Sequence, residues 1–222
     1  MRSMTTGTTH TEVLDATVHL PDGATLLIHG FAWDEYELLL VHLANSPHLR
    51  LSYDSGSLRV LSISSAHDQY ATAIEGLIVT FCDESEITLE GLGRTTWRNE
   101  ALAKGVEADA CYYVQNAQRI IGKRKIDLPT DPPPDLVIEV DLSSDARHKF
   151  PIYAALGVAE IWRYDGEALQ FYLLRDGDYV EAGASEVLPG LARDLLIASL
   201  DIAKTQGQTA ARRNLRQKIR ER

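Results

Sequence analysis

Acidic residues spaced along one short apolar run are the part of this sequence best suited to chemistry. Leu136 to Val140 is rich in branched apolar side chains and predicts a strand buried on both faces. Asp135, Glu139 and Asp141 alternate along this strand, so their side chains point to the same side. Burying three carboxylates together costs several kcal/mol through desolvation and mutual repulsion. Because a divalent cation would offset that cost, the pattern predicts a metal site.

A helix is predicted to follow the acidic strand. Residues 143–145, Ser-Ser-Asp, are good N-cap residues, and Gly157 is suited to a left-handed C-cap. A further strand is predicted at residues 160–164, so the unit is strand, helix, strand, for which a right-handed crossover is expected. Residues spaced four apart share one stripe of this helix. They are Asp145, Lys149 and Tyr153.

The composition is that of one folded domain with an acidic excess. The chain has 222 residues, of which 45% are hydrophobic, and a net charge of -10. We expect residues 1–25 to be disordered or extended, residues 26–203 to form a single domain and residues 204–222 to form a basic tail. Residues 205–222 hold six Arg or Lys residues and one Glu. This is typical of a solvated or frayed helix, and an arm that contacts phosphate is the alternative.

Cysteine content and hydropathy predict a cytoplasmic location. Cys82 and Cys111 are too few for a disulfide framework or a thiolate zinc site, which suits a reducing compartment. No apolar run approaches the roughly 20 residues of a membrane span, and the start of the sequence lacks the apolar core of a signal peptide. We therefore expect a soluble cytoplasmic protein with no membrane partner.

Alternating and helical patterns place the other elements of the chain. Asp109 lies in a predicted strand and shares a face with Cys111. His67 and Glu75 share a row at the edge of the buried stripe of a predicted helix, a position that is also typical of simple rim residues. The patterns predict helices at 33–45, 65–81 and 191–202 and strands at 49–53, 58–63, 86–89, 106–114, 169–174 and 179–181.

A basic connection precedes the acidic strand, between residues 115 and 134. Its later prolines forbid regular structure. The basic group is typical of a solvated hairpin, and contact with a nucleic-acid phosphate is the functional alternative. Its members are Arg119, Lys123, Arg124 and Lys125.

The order of these elements and the motif around the acidic strand resemble a known family. From Pro134 to Asp165 the sequence is PDLVIEVDLSSDARHKFPIYAALGVAEIWRYD. This stretch is similar to the Uma-two family of putative restriction endonucleases, within the PD-(D/E)XK nuclease superfamily, and weaker similarity extends over residues 31–200. The resemblance implies a mixed α/β fold with a restriction-endonuclease-like αβββαβ core, an N-terminal helix and hairpin, and a C-terminal β-meander.

The resemblance also implies a metal-dependent site. Asp109 and Glu139 match the acids that hold Mg²⁺ or Mn²⁺, together with the backbone carbonyl of Val140. Lys149 takes the role of the superfamily's lysine, which orients water or stabilises transition-state charge. Glu75 matches a helical acid that supports the metal in many members. Candidates for supporting the ligands or contacting phosphate are Asp135, Asp145, Tyr153 and His67.

Two departures from the superfamily pattern keep simpler interpretations open. Ala108 stands where the eponymous proline would precede Asp109, and Asp141 stands where the lysine would follow Glu139. Both acids could instead lie at the solvent-exposed end of an open sheet. Lys149 could be a surface lysine paired with a neighbouring acid.

The residues and the resemblance together predict a Mg²⁺-dependent endodeoxyribonuclease that hydrolyses phosphodiester bonds in DNA. A homodimer is expected, because cutting both strands needs two sites related by a two-fold axis. One alternative is a catalytically silent nucleic-acid or protein interaction module of the same fold. Another is a metal-dependent hydrolase or transferase of a small phosphorylated molecule, which would suit the negative net charge. We expect Glu139→Ala and Lys149→Ala each to abolish cleavage without unfolding the chain.

Overall fold

The structure, a computed structural model, describes residues 2–4, 10–142 and 145–221. Ser143 and Ser144, predicted as N-cap residues, lie outside these ranges. The described strands are β1 (Arg2–Met4), β2 (Thr25–His29), β3 (Leu49–Asp54), β4 (Ser57–Ser62), β5 (Glu90–Gly91), β6 (Thr96–Asn99), β7 (Lys104–Glu107), β8 (Ala110–Tyr113), β9 (Leu136–Val140), β10 (Glu160–Tyr164), β11 (Leu169–Arg175) and β12 (Asp178–Ala182). The described helices are α1 (His10–Val18), α2 (Trp33–His42), α3 (Ser65–Glu84), α4 (Ala117–Ile120), a 3₁₀ helix (Ala146–Lys149), α5 (Phe150–Leu156), α6 (Arg193–Gln206) and α7 (Gln208–Arg220). None of these helices is long and apolar enough to cross a membrane.

The described strands form two six-stranded sheets. In the first sheet the strand order is β1-β2-β4-β3-β7-β6, and in the second it is β12-β11-β10-β9-β8-β5. Strands β9 and β10 run parallel, whereas β8 pairs antiparallel with β9 and β11 pairs antiparallel with β10. A parallel pair needs a crossover connection, and the 3₁₀ helix and α5 provide it.

The second sheet is covered on both faces, which explains why β9 is apolar on both. Helices α3, α6 and α7 contribute to the core on one face, where Ile138 and Trp162 are buried. Helix α5 and strands β6 and β7 cover the other face, where Val137 and Ile161 are buried. A third cluster joins the first sheet to α1 and α2. The prediction of a strand buried on both faces is confirmed.

Local sequence explains how the crossover helices begin and end. Asp145 caps the 3₁₀ helix, since its side chain accepts a hydrogen bond from the N–H of Arg147 at 3.0 Å. Pro151 lies in the first turn of α5, where its missing N–H needs no partner, so it does not interrupt the helix. Gly157 ends α5 with a φ of 83°, a left-handed conformation that glycine adopts without a Cβ penalty.

The chain after α3 differs from the predicted strand at 86–89. Glu86 has a φ of 55°, and the N–H of Ile87 donates to the carbonyl of Cys82 at 2.9 Å. This is the Schellman arrangement that closes a helix. Because these residues cap α3, strand β5 begins only at Glu90, and the prediction of a strand at 86–89 is wrong.

One predicted strand, 106–114, is divided between the two sheets. Strand β7 pairs with β3 and β6 in the first sheet, whereas β8 pairs with β9 and β5 in the second. Ala108 and Asp109 connect them, so Asp109 lies where the two sheets meet. The prediction of one continuous strand is wrong, because alternation indicates which face a residue occupies but not which strand each half pairs with.

Both ends of the described chain carry regular structure. Within residues 1–25, expected to be disordered or extended, β1 pairs parallel with β2 and α1 follows. In the basic tail, α7 packs into the core through Ala211 and Leu215. The mixed α/β order, with an N-terminal helix and hairpin and a C-terminal meander of β10, β11 and β12, is confirmed. The division of the chain into domains stays a prediction.

Candidate active site

Asp109 and Glu139 face each other across two neighbouring strands. Strands β8 and β9 pair antiparallel with Ala110 opposite Ile138, and continuing that register by one residue places Asp109 opposite Glu139. Directly opposite residues share a face and have Cβ atoms roughly 5 Å apart. Both side chains are buried, with 2% and 1% of their surface exposed. The two acids predicted from the sequence are therefore brought together where the sheets meet.

Three elements supply hydrogen bonds to Asp109. Its Oδ1 accepts from Nε of Arg50 in β3 at 3.1 Å, and its Oδ2 accepts from the N–H of Val140 at 2.9 Å. His67, in the first turn of α3, places Nε2 3.1 Å from Oδ2, a geometry in which Nε2 carries the proton. Burial raises the pKa of Asp109, but the hydrogen bond from His67 and the charges of Lys149 and Arg50 outweigh it. The pKa lies below its usual range, so Asp109 stays ionised.

Glu139 is held by the helices that follow its strand. Its Oε2 accepts from Nζ of Lys149 at 2.7 Å, and its Oε1 accepts from the hydroxyl of Tyr153 at 2.5 Å. Lys149 Nζ also donates to the carbonyl of Glu107 at 3.0 Å. Burial raises the pKa of Glu139 to about 7, while the charge of Lys149 lowers it and that of Asp109 raises it. The predicted stripe of Lys149 and Tyr153 thus reaches the acidic strand.

Two of the four predicted supporting residues, Asp135 and Asp145, lie away from this cluster. Asp135 is at the other end of β9, where its Oδ2 accepts from the N–H groups of Val114 at 2.7 Å and Asn116 at 3.0 Å. Asp145 is exposed and pairs with Arg147 at 2.6 Å, which lowers the pKa of Asp145 to about 2. Their contacts stabilise local structure. His67 and Tyr153, the other two, contact the site acids.

The three acids along β9 do not share one site. Asp141 Oδ2 accepts from the N–H of Ala146 at 2.9 Å and from Nε of Arg163 at 2.7 Å. Among the described residues, no three His, Cys, Asp or Glu side chains group closely enough to hold a metal ion by themselves. The expectation that one cation balances Asp135, Glu139 and Asp141 is wrong, because each carboxylate has its own donors.

Glu75 lies at the margin of the cluster. It is on α3, two turns after His67, and it lines a groove between α3 and α7. Burial raises the pKa of Glu75, Arg94 lowers it and Asp109 raises it. Glu75 is therefore near enough to Asp109 to interact with it electrostatically.

The predicted basic residues lie on the surface near β6. Lys123 forms an ion pair with Asp131, whereas Arg124 and Lys125 are exposed. Three of the four, Lys123, Arg124 and Lys125, line one cavity together with residues of β6. Arg119 is exposed on α4.

Arg50 is the main site residue that the sequence argument missed. It is 4% exposed, and its Nη1 donates to the carbonyls of Pro47 and Leu49 while its Nε donates to Asp109. The sequence did contain a sign of it, because Arg50 stands between the apolar residues Leu49 and Leu51 of a predicted strand. A cation inside a buried strand, like an acid there, indicates a partner of opposite charge. The partner of Arg50 is set by the non-local pairing of β3 with β7.

Other residues of the 134–165 motif build the scaffold. The side chain of Glu160 is fully buried. Its Oε2 accepts from the N–H groups of Glu186 at 2.9 Å and Val187 at 3.0 Å, and its Oε1 accepts from Nε1 of Trp162. The motif therefore combines residues of the cluster around Asp109 and Glu139 with residues that fix β10 against the chain leading to α6.

The fold and the cluster define a class of protein before any sequence comparison. A mixed sheet between helices, with β8, β9 and β10 adjacent and a helical crossover from β9 to β10, is consistent with a restriction-endonuclease-like fold. The sequence profile of the Uma2 family, described as "Putative restriction endonuclease", matches residues 33–203, and the chain belongs to this family. Comparison with curated proteins gave no match. The predicted family and fold are confirmed, and membership indicates a nuclease.

Proposed function

We propose that this protein is a Mg²⁺-dependent endonuclease that hydrolyses phosphodiester bonds in DNA, with Asp109, Glu139 and Lys149 as catalytic residues. The observation that carries the proposal is the position of Lys149 Nζ, which lies 2.7 Å from Glu139 Oε2. Glu139 itself is on β9, where the register with β8 places it opposite Asp109. Buried charged groups cost stability, so their convergence at one sheet junction is expected of a functional site.

The donor set suits Mg²⁺ or Mn²⁺, which prefer carboxylate and carbonyl oxygens. Asp109 Oδ1 and both oxygens of Glu139 each accept one hydrogen bond within the described chain, so each keeps a lone pair. The backbone of Val140 already contacts Asp109, and its carbonyl would complete the set. Burial and then repulsion from Asp109 raise the pKa of Glu139, and a cation held here would oppose both effects.

The chain and the metal would divide the chemistry between them. A bound Mg²⁺ would stabilise the negative charge that develops on the phosphate and lower the pKa of the attacking water. Hydrogen bonds from three elements keep Asp109 ionised, and the hydroxyl of Tyr153 fixes the carboxylate of Glu139. Lys149, anchored to the carbonyl of Glu107, is a point cation that orients water or stabilises the transition state.

The other predicted residues would act indirectly. Glu75 would influence the metal site through its charge, His67 would hold Asp109, and Asp135 and Asp145 would fix the ends of the strand and crossover that carry the site. Candidates for contacts with DNA phosphates are Arg119, Lys123, Arg124 and Lys125.

Cleavage of supercoiled plasmid DNA with Mg²⁺ or Mn²⁺ tests the proposal. Lys149→Met should slow cleavage by at least about 100-fold, because it removes the cation beside the reacting phosphate. Lys104→Met is the matched control, since Lys104 pairs with Asp54 in the first sheet, and it should cleave at the parental rate. Circular dichroism checks that both variants are folded. Absence of parental cleavage with either metal, or equal cleavage by the two variants, would remove the proposal.

A catalytically silent interaction module of the same fold is the second candidate function. The enclosure of the cluster favours it, since Asp109, Glu139 and Lys149 are each 4% exposed or less. Isothermal titration with Mn²⁺ separates the two candidates. Saturable binding that Asp109→Asn abolishes and Asp135→Asn preserves supports the nuclease, whereas no saturable binding supports the module.

We also propose that the nuclease acts as a homodimer in the cytoplasm. Two copies related by a two-fold axis would present one site to each strand of duplex DNA. Sedimentation velocity at the concentration used for cleavage tests this proposal. A species of twice the chain mass supports it, and a monomer that cuts both strands contradicts it.

A further inference from the structure

A cavity of about 680 Å³ adjoins the catalytic cluster, between the end of α2 and strands β3 and β6. This volume is within the range of small-ligand sites. Two of its lining residues touch the cluster directly: Arg50 donates to Asp109, and the carbonyl of Glu107 accepts from Lys149. A ligand in the cavity would therefore lie next to the bond that the proposed nuclease cuts.

The walls of the cavity differ in chemistry. The α2 side is apolar and includes Leu40, Leu43 and Val41, whose side chain is 71% exposed. The opposite side carries Arg94 and Arg98. A ligand that fits both walls has an apolar face and an anionic group.

The two surface arginines of the cavity form only long ion pairs, although Arg94 Nη1 also donates to the carbonyl of Pro47 at 2.8 Å. Arg94 Nη1 lies 3.7 Å from Asp68 Oδ1, and Arg98 Nη1 lies 3.3 Å from Glu37 Oε1. Exposed ion pairs of this kind contribute little energy, so an incoming anion can compete with them. Glu107, the carboxylate in the lining, is tied into the wall by the N–H of Leu51 and the hydroxyl of Thr96.

Arg50 provides an independent sign of a missing acceptor. Within the described chain its buried Nη2 has no hydrogen-bond partner, and it lies 3.6 Å from Asp68 Oδ1, which is an ion pair too long for a hydrogen bond. A buried donor left without an acceptor costs free energy. Phosphate oxygens are among the acceptors that match the geometry of a guanidinium.

We propose that this cavity binds one unpaired nucleotide of the DNA strand next to the cleaved bond. Its phosphate would lie toward Arg50, Arg94 and Arg98, and its base would pack on the apolar side chains of α2. The inference rests on the proposed nuclease function and adds a substrate class. A base stacked inside a duplex cannot enter the cavity, so the substrate is single-stranded at this position or has its base turned out of the helix.

Fluorescence anisotropy of a labelled single-stranded oligodeoxynucleotide, in EDTA to prevent cleavage, tests the proposal. Val41→Asp should weaken binding by about tenfold, because it removes apolar contact with the base and adds a negative charge. Leu38→Asp is the matched control, since Leu38 is a half-exposed residue of the same helix outside the lining. Arg98→Ala should weaken binding and lower the salt dependence by about 0.7 in the log–log slope. Its control is Arg175→Ala, of similar exposure on β11.

The outcomes separate this inference from the proposed function. Tighter binding of the single strand than of the matching duplex, with loss only in Val41→Asp and Arg98→Ala, supports the cavity even if no cleavage follows with Mn²⁺. Equal effects of Val41→Asp and Leu38→Asp, or preference for the duplex, would overturn the cavity even if the protein cuts DNA. Binding of neither nucleic acid would overturn it as well.

Discussion

Two buried glutamates on adjacent strands, Glu139 and Glu160, have different surroundings and therefore different roles. Glu139, on β9, accepts hydrogen bonds from Lys149 and Tyr153 of the crossover, side chains that lie at the proposed site. Glu160, on β10, accepts from Trp162 and from backbone N–H groups. Both are buried carboxylates in one family motif, and their donors are what separates the proposed catalytic residue from the scaffold residue.

Glutamine at each position should separate these roles in stability. Glu139→Gln should lose less unfolding free energy than Glu160→Gln, because burial and repulsion from Asp109 raise the pKa of Glu139 and so already disfavour its charged form in the folded protein. Glu160→Gln should lose about 1–3 kcal/mol of unfolding free energy, because the NH₂ group of the glutamine would face N–H groups that need an acceptor. Urea denaturation measures both. A larger loss for Glu139→Gln than for Glu160→Gln would assign Glu139 to the scaffold.

The buried pair revises the expectation that alanine at Glu139 or Lys149 leaves the fold unaffected. The two side chains are 1% and 5% exposed and bond directly. Truncation to alanine removes one partner of this buried pair and also leaves a cavity, and such changes cost about 3–5 kcal/mol. Glu139→Gln and Lys149→Met fill the same space, and the glutamine amide oxygen can still accept a hydrogen bond from Lys149, so these variants are the milder tests of catalysis.

At the scale of elements, local pattern predicted most of what positions Glu139 and little of what positions Asp109. Strand β9, the crossover and the stripe of Lys149 and Tyr153 follow from periodicity and capping, which are local. The division of 106–114 between two sheets, and the approach of Arg50, depend on the pairing of β3 with β7, residues about fifty positions apart in the chain. Pairing partners at that separation are not encoded in alternation alone.

The 3₁₀ helix offers a test of how the crossover is anchored. His148 Nδ1 donates to the carbonyl of Asp145 at 2.6 Å, and its Nε2 accepts from the hydroxyl of Ser52 at 3.3 Å. The pKa of His148 is lowered to about 4, chiefly by burial and also by the charges of Lys149 and Arg59. The hydrogen bond with the carbonyl of Asp145 opposes this shift but does not cancel it. The folded protein therefore holds this histidine neutral at pH values where the unfolded chain protonates it.

His148→Gln should make the unfolding free energy depend less on pH below about pH 6.5. The unfolded histidine binds a proton near pH 6.5 and the folded one only near pH 4, so its contribution to stability is lost as pH falls between these values. Urea midpoints of parent and variant from pH 7.5 to pH 4.5 measure the effect. The parent should lose more stability than the variant over this range, and parallel profiles would contradict the assignment.

At the scale of the whole molecule, the basic C-terminal segment is part of the core. Helix α7 packs against α3 and buries Leu215 completely. Arg216 and Arg220 pair with Glu84 on α3, which lowers the pKa of that carboxyl. Composition predicted a basic solvated helix because the cations outnumber the apolar residues, but the few apolar positions fall on one face and are enough to dock it.

Leu215→Ala should therefore lower the unfolding free energy by about 2–5 kcal/mol, the usual cost of a cavity in a core. Leu38→Ala, at a half-exposed leucine of α2, should change it by less than about 0.5 kcal/mol. Urea denaturation at one pH compares the two. Equal, small effects would mean that α7 does not stabilise the domain.

The proposed function requires Asp109, Glu139 and Lys149 to form a metal-dependent site for phosphodiester hydrolysis. The rate of plasmid nicking with Mn²⁺, for Glu139→Gln beside Glu160→Gln at a temperature where both are folded, tests it most directly. Glu139→Gln should lose at least about 100-fold in rate and Glu160→Gln should stay near the parent. Nicking by Glu139→Gln at the parental rate would contradict the claim.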